Sequence, residues 1–369
     1  MILALAADYT VQTVAMGAAL LGLVSGTVGA FAVLRGQSLL GAALSHATLP
    51  GICAGFLIAG GRHLESLFAG AFVSGLIAAG VAVAIAGRSR IKTDAALGLV
   101  LGLSFALGVV LLTHIQARGG AAQAGLESFL FGQAAAMLRG DLAVMAVLAA
   151  VALGLVAAFW KELTLVTFDP GFARVQGLPV AAVELGLTAL IALAIVLGLQ
   201  MVGVVLVTAM LIAPAAAARQ WVRRLGPMVA LSALFGVAAG VFGAVLSAAA
   251  RGLATGPLIV LAATAIFAAS ILFAPERGLA ARWLRRRAER RRVAGRRVLR
   301  SMQALAKEHG DPAYPAERGM IEALHGPGTR AALARLEAQG LVRPVPHRPE
   351  STPHWALTEA GRVQAEDRA

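Results

Sequence analysis

The sequence predicts an all-α polytopic membrane protein of about nine transmembrane helices, followed by a small cytoplasmic α+β domain. Three observations carry this reading. Of the 369 residues, 59% are hydrophobic and 14% are charged, whereas an average soluble domain is about 25% charged. Apolar runs of about 20 residues, the length that crosses a bilayer as a helix, recur between residues 10 and 275. Past residue 300 such runs stop, and residues 301–369 carry 8 basic and 9 acidic side chains. The expected organisation is a transmembrane domain over 1–276, an Arg-rich juxtamembrane linker over 277–300 and a soluble domain over 301–369.

The nine expected helices lie near 10–34, 40–60, 65–87, 94–113, 140–160, 181–199, 201–218, 227–249 and 256–275. Lys and Arg concentrate in cytoplasmic loops. One set of alternate loops, with the segment after the last helix, holds twenty basic residues; the other holds Arg62, Arg118, Arg139 and Arg251. The N-terminus is therefore expected outside, and residue 277 onward in the cytoplasm. No Lys or Arg precedes Arg35, so the first apolar run reads as a retained helix rather than a cleaved signal.

Net charge is +13, and eleven arginines fall within residues 277–300 against Glu289 alone. Directly after a membrane helix, such a run suits the anionic headgroups of the cytoplasmic leaflet. The 42 glycines suit close helix approach, and Gly22/Gly26, Gly98/Gly102 and Gly236/Gly240 have the spacing that allows it. The single cysteine, Cys53, excludes a disulfide within the chain and reads as a small buried hydrophobe.

Two stretches carry functional information. Residues 162–179, between two apolar runs on the cytoplasmic side, contain Asp169-Pro170-Gly171 as a helix start and Gly177 as its end. A short helix lying across the membrane face is expected there. Residues 35–51, RGQSLLGAALSHATLPG, place His46 in an apolar run. An ionisable residue inside a membrane segment is a functional candidate by default; the alternative is a histidine hydrogen-bonded between helices. Asp94 follows Thr93 at a helix start and offsets the N-terminal dipole. Glu184, near the inner end of the sixth helix, is a candidate partner for Arg174.

These stretches together resemble the permease subunit of metal-importing ABC transporters, the ABC-3 family of manganese, zinc and iron permeases. Ser38, Leu39, Gly41, Ala43, Leu44, Ser45, His46, Leu49, Pro50 and Gly51 match the family pattern, while Ala42 stands where the family has aspartate. The resemblance implies that His46 lines the metal path. It implies that the 168–178 helix docks in a partner ATPase, with Phe168, Asp169, Phe172, Arg174 and Gly177 in that element. Residues 126–133, LESFLFGQ, match an outer stretch of the family, which sets Glu127 at the outer vestibule. An aspartate and a histidine four residues apart share one helix face and offer oxygen and nitrogen to Mn²⁺, Fe²⁺ or Zn²⁺. Here only the imidazole remains. The missing carboxylate could come from elsewhere, including a second permease protomer, in a homo- or heterodimer.

No GxxxxGK[ST] phosphate loop is present; residues 87–93, GRSRIKT, have Ile91 in place of the second glycine. ATP is therefore expected to be hydrolysed by another chain, and no constellation supports an enzyme. No permanent cofactor is implied; the divalent metal is cargo, delivered by an external metal-binding protein. Two alternatives stand beside this reading. One is a cobalamin or siderophore permease, and the other is a membrane-tethered winged-helix transcription regulator.

The last stretch reads helix (VLRSMQALAKEH), helix (ERGMIEAL), helix (TRAALARLEAQG, capped by Thr329 and ended by Gly340), strands LVRPV and HWALT, then helix EAGRVQAE. That is a winged-helix order, and its text resembles metal-dependent regulators. DNA binding is not expected, because residues 301–369 lack a basic excess. His309, Asp311, Glu322, His325, His347 and His354 show no recognisable ligand spacing.

Overall fold

The computed structural model of the protein describes residues 9–61, 63–117, 132, 134, 137–249, 253–275, 278–326, 328–346 and 352–366. The chain divides into two compact units, Met1–Gly278 and Leu279–Ala369.

The described regular elements of the first unit are all helices. Its long helices are α1 (Tyr9–Leu34), α2 (Ser38–Ala59), α3 (Leu64–Arg88), α4 (Thr93–Ala117) and α5 (Arg139–Ala158). Two short helices follow, α6 (Trp160–Phe168) and α7 (Pro170–Val175). Then come α8 (Val180–Met201), α9 (Val204–Trp221), α10 (Leu225–Ala249) and α11 (Thr255–Phe273). Among the described residues, eight of these are long and apolar enough to cross a membrane. The ninth expected span corresponds to α9, an 18-residue helix in which the side chain of Val205 lies outside the described residues. It remains separate from α8 because Gly203 adopts φ +85°, a left-handed conformation that glycine takes without steric cost, and breaks the helix. No described residue of α9 from Leu206 to Ala218 is exposed.

The arrangement is an inner group wrapped by apolar helices. From Ile191 to Met201 only Leu193 of α8 escapes full burial, and Phe31, Leu21, Ile195 and Leu199 are among the largest fully buried side chains. By contrast α3, α4 and α5 expose Ile77, Val83, Leu103, Val110 and Val147. Apolar side chains facing outward are the pattern of a surface solvated by lipid.

Two of the three predicted glycine spacings mark a close approach between helices. The helices α1 and α10 meet along Gly22, Gly26, Gly236 and Gly240. A Cβ on Gly22 would overlap the Gly236 carbonyl, one on Gly236 would overlap the Gly22 carbonyl, and one on Gly240 would overlap the Ala18 carbonyl. Ser232 Oγ donates to the Gly26 carbonyl at 2.7 Å across the same seam. Gly98 and Gly102 have open space around them instead, so that spacing does not mark a seam within this chain.

The second unit begins with α12 (Leu279–Glu308), so most of the Arg-rich run is helical. It continues with β1 (Ala316–Glu317), α13 (Arg318–His325), α14 (Thr329–Ala338), β2 (Val342–Val345), β3 (His354–Leu357) and α15 (Glu359–Glu366). The sheet is antiparallel in the order β1-β3-β2, with Val342 opposite Leu357 and Ala316 opposite Trp355. Val298, Leu299, Met302, Ile321, Leu333, Leu336, Val342 and Leu357 form its core. The expected α14 cap differs in detail. Thr329 is the first helical residue, and its hydroxyl donates to the Gly326 carbonyl at 2.8 Å rather than accepting from the next turn. At the other end Gly340 takes φ +71° and Leu341 N returns to the Leu336 carbonyl, a left-handed helix stop.

Candidate functional site

His46 lies within α2, eight residues after Ser38 at its start and four before Pro50, which is carried inside the continuous helix. Proline has no N–H to donate, so the His46 carbonyl loses its ordinary partner four residues on. The same residue thus carries two potential ligand atoms inside the membrane segment. Its side chain is half-buried. The ring sits edge-on to Phe105 of α4, with centroids 5.1 Å apart. Among the described residues, the shielded Nδ1 has no hydrogen-bond partner. A histidine hydrogen-bonded through that atom between helices is therefore not what the geometry presents.

The neighbouring residues of the stretch fasten α2 in place. Ser45 is buried, donates to the Gly41 carbonyl at 2.9 Å and lies 3.0 Å from Thr208 Oγ1 of α9. Ser74 of α3 donates to the Ala47 carbonyl at 2.6 Å. Gly51 meets Gly70 backbone to backbone, where a Cβ would overlap the Gly70 carbonyl. Thus Gly41, Ser45, Ala47 and Gly51 hold this part of α2 against α9 and α3. The side chain of Ser38 and all of Glu127 lie outside the described residues. Ala42 is half-buried and supplies no ligand. Among the described residues, no group of three or more His, Cys, Asp or Glu comes close enough to hold a metal ion.

The second element is the α6–α7–α8 bend. Asp169 Oδ1 accepts from Phe172 N at 2.8 Å and Pro170 occupies the first helical position, so α7 starts where the sequence predicts. Gly177 at φ +80° ends the turn, and Leu178 N bonds the Ala173 carbonyl at 3.1 Å. Ala173 packs with Val166 of α6 and Val180 of α8 in a small core of its own. The outward face is left apolar. Phe168 is 60% exposed, Phe172 50% and Val175 85%, with Arg174 exposed beside them. A six-residue helix has too few backbone bonds to stand alone, so this one is held by its cap and its inner core.

Glu184 does not pair with Arg174. Its Oε1 accepts from Arg35 Nη2, joining α8 to the end of α1. Arg35 is the better placed cation because α1 and α8 are packed neighbours, whereas Arg174 points away on the exposed side of α7. Gln200 is buried and donates from Nε2 to Asp141 Oδ2 of α5 at 2.8 Å. Asp141 was not singled out in the sequence; its place three residues after Leu138, before an apolar run, is an N-terminal capping signal, and it also accepts from Leu138 N at 3.1 Å. Asp94 is in the first turn of α4, as expected of an acid offsetting the helix dipole.

Comparisons with known proteins agree with this layout. The ABC 3 transport family matches residues 7–274. The zinc transport system membrane protein TroC of Treponema pallidum is 50% identical over 281 residues, covering 76% of this chain and 94% of that protein. The manganese transport system membrane protein MntC of Bacillus subtilis is 46% identical over 288 residues, covering 78% of this chain and 66% of that protein. The solved structure of PsaBC from Streptococcus pneumoniae in complex with Fab superposes with a TM-score of 0.67 at 35% identity, covering 77% of this chain and 97% of that one. With the family matched across nearly the whole first unit and these relatives aligned through it, the chain belongs to the ABC 3 transport family.

Proposed function

We propose that the protein is the membrane-spanning permease subunit of an ATP-driven importer of divalent transition metal ions, manganese, zinc or iron, in the bacterial inner membrane. The observation that carries the reading is α7, a capped helix whose exposed Phe172 and Val175, with Phe168 at the end of α6, face away from the unit that holds it. Such a patch, rimmed by the polar Asp169 and Arg174, is the form of a protein docking surface. Its occupant is a separate cytoplasmic ATPase, which supplies the phosphate chemistry this chain lacks. The zinc and manganese systems named for the relatives above support the cargo class.

In this reading α9 is a ninth span, the N-terminus is outside and the second unit is cytoplasmic. An external metal-binding protein delivers the ion near Glu127. The ion passes His46, whose imidazole and proline-freed carbonyl offer a weak transit site suited to a cargo that must leave again. A second permease protomer completes the path and could restore the carboxylate absent at Ala42. The second unit is a winged-helix-like regulatory or assembly module, with α12 placing its arginines against anionic headgroups.

The test is cellular metal content by elemental mass spectrometry in cells expressing the complete transporter. A rise in manganese, zinc or iron over cells lacking it supports the reading; unchanged content of all three overturns it.

A further inference from the structure

One contact ties the docking element to the helix pair that carries His46. The chain leaves α1 at Leu34 and enters α2 at Ser38 through a turn in which Gly36 adopts φ +68°. Arg35 sits in that turn and is 12% exposed, and its Nη2 donates to Glu184 Oε1. Glu184 is in the second turn of α8, five residues past Pro179 and directly beyond the core of Ala173, Val180 and Val183 that locks α7 onto α8. The same end of α1 is gripped from the other flank of α7. Phe31, fully buried, meets Trp160 of α6 edge to face with centroids 5.8 Å apart. Thus the two elements on either side of α7 both hold the last turn of α1, and one holds it by charge.

We propose that the Arg35–Glu184 pair is a positioning link that transmits displacement of α7 to the α1–α2 turn, and so to the register of His46 in α2. The inference rests on the transport reading above. A purely apolar contact would let α8 slide past α1, because dispersion has no direction. Arg35 resists that sliding because losing Glu184, itself 39% exposed, would leave the guanidinium unpaired in a poorly solvated place. Movement of α8 then carries the turn with it, and the turn is the shortest covalent route to α2. Neither residue is offered as a metal ligand or as an ATPase contact.

The test uses the complete transporter, permease with its ATPase, reconstituted in proteoliposomes, with metal uptake and ATP hydrolysis measured on the same vesicles. The variants are Glu184→Gln, Arg35→Gln and the reversed pair Arg35→Glu with Glu184→Arg. Each single variant is expected to hydrolyse ATP near the wild-type rate while metal moved per ATP falls about tenfold, within the range of a typical coupling energy. The reversed pair is expected to recover much of that ratio. A ratio unchanged in the single variants overturns the link. So does a loss of hydrolysis and uptake in equal proportion that the reversed pair fails to repair, because a merely structural role predicts it. If wild type hydrolyses ATP but takes up no metal, the transport reading itself falls, which is a separate result from either.

Discussion

The imidazole of His46 stands edge-on to Phe105, with ring centroids 5.1 Å apart, and leaves its shielded Nδ1 without a partner among the described residues. A buried polar atom left unpaired costs about 1–3 kcal/mol. That cost is sustained where a group must stay available for a ligand. Replacing His46 with Ala is therefore expected to keep the permease folded and abundant while abolishing most accumulation of one metal. Elemental analysis at matched protein level checks this; equal accumulation by wild type and variant would make the histidine structural.

Ala42 sits one helical turn before His46, on the same face of α2. Introducing aspartate by Ala42→Asp is expected to leave uptake intact or raise it, because the carboxylate adds a ligand where the path already has one. Uptake at graded external metal concentration is the measurement. Complete loss in a well-folded variant would count against a carboxylate being tolerated there.

Asp169 accepts from Phe172 N and so holds the first turn of α7. Asp169→Ala removes the cap, a loss of about 1 kcal/mol to the helix, and is expected to weaken retention of the ATPase during co-purification. Phe172→Ala removes exposed apolar area without touching the cap and is expected to weaken it too. If the ATPase is retained fully by both variants, α7 is not its docking surface.

Gly236 lies where a side chain would overlap the Gly22 carbonyl. Gly236→Val is expected to destabilise the protein by about 1–3 kcal/mol or more, the usual cost of overpacking. Gly98→Val, with open space around it, is expected to be neutral for the isolated chain. Thermal unfolding of both in detergent separates them, and equal midpoints would contradict the seam.

Deleting residues 301–369 cuts α12 after Arg300 and removes the rest of the second unit. Retained or altered metal uptake is expected. A DNA-dependent output lost on deletion, with uptake never present, would instead support the tethered-regulator reading.

The sequence by itself determined the polytopic class, because leaving repeated twenty-residue apolar runs exposed to water is prohibitive and a bilayer accepts them as helices. It also determined the start and stop of α7. An Asp cap, a Pro at the first position and a left-handed Gly set these ends within a few residues, while packing of Ala173 against Val166 and Val180 holds the helix itself. Only the tertiary structure decided which of the glycine pairs form a seam. Gly22/Gly26 and Gly98/Gly102 have the same spacing, and what separates them is whether α10 lies opposite. It also decided that Glu184 pairs with Arg35, 149 residues away in the chain, rather than with Arg174. Ion pairing depends on distance and burial, and those are properties of packed helices that one-dimensional spacing does not contain.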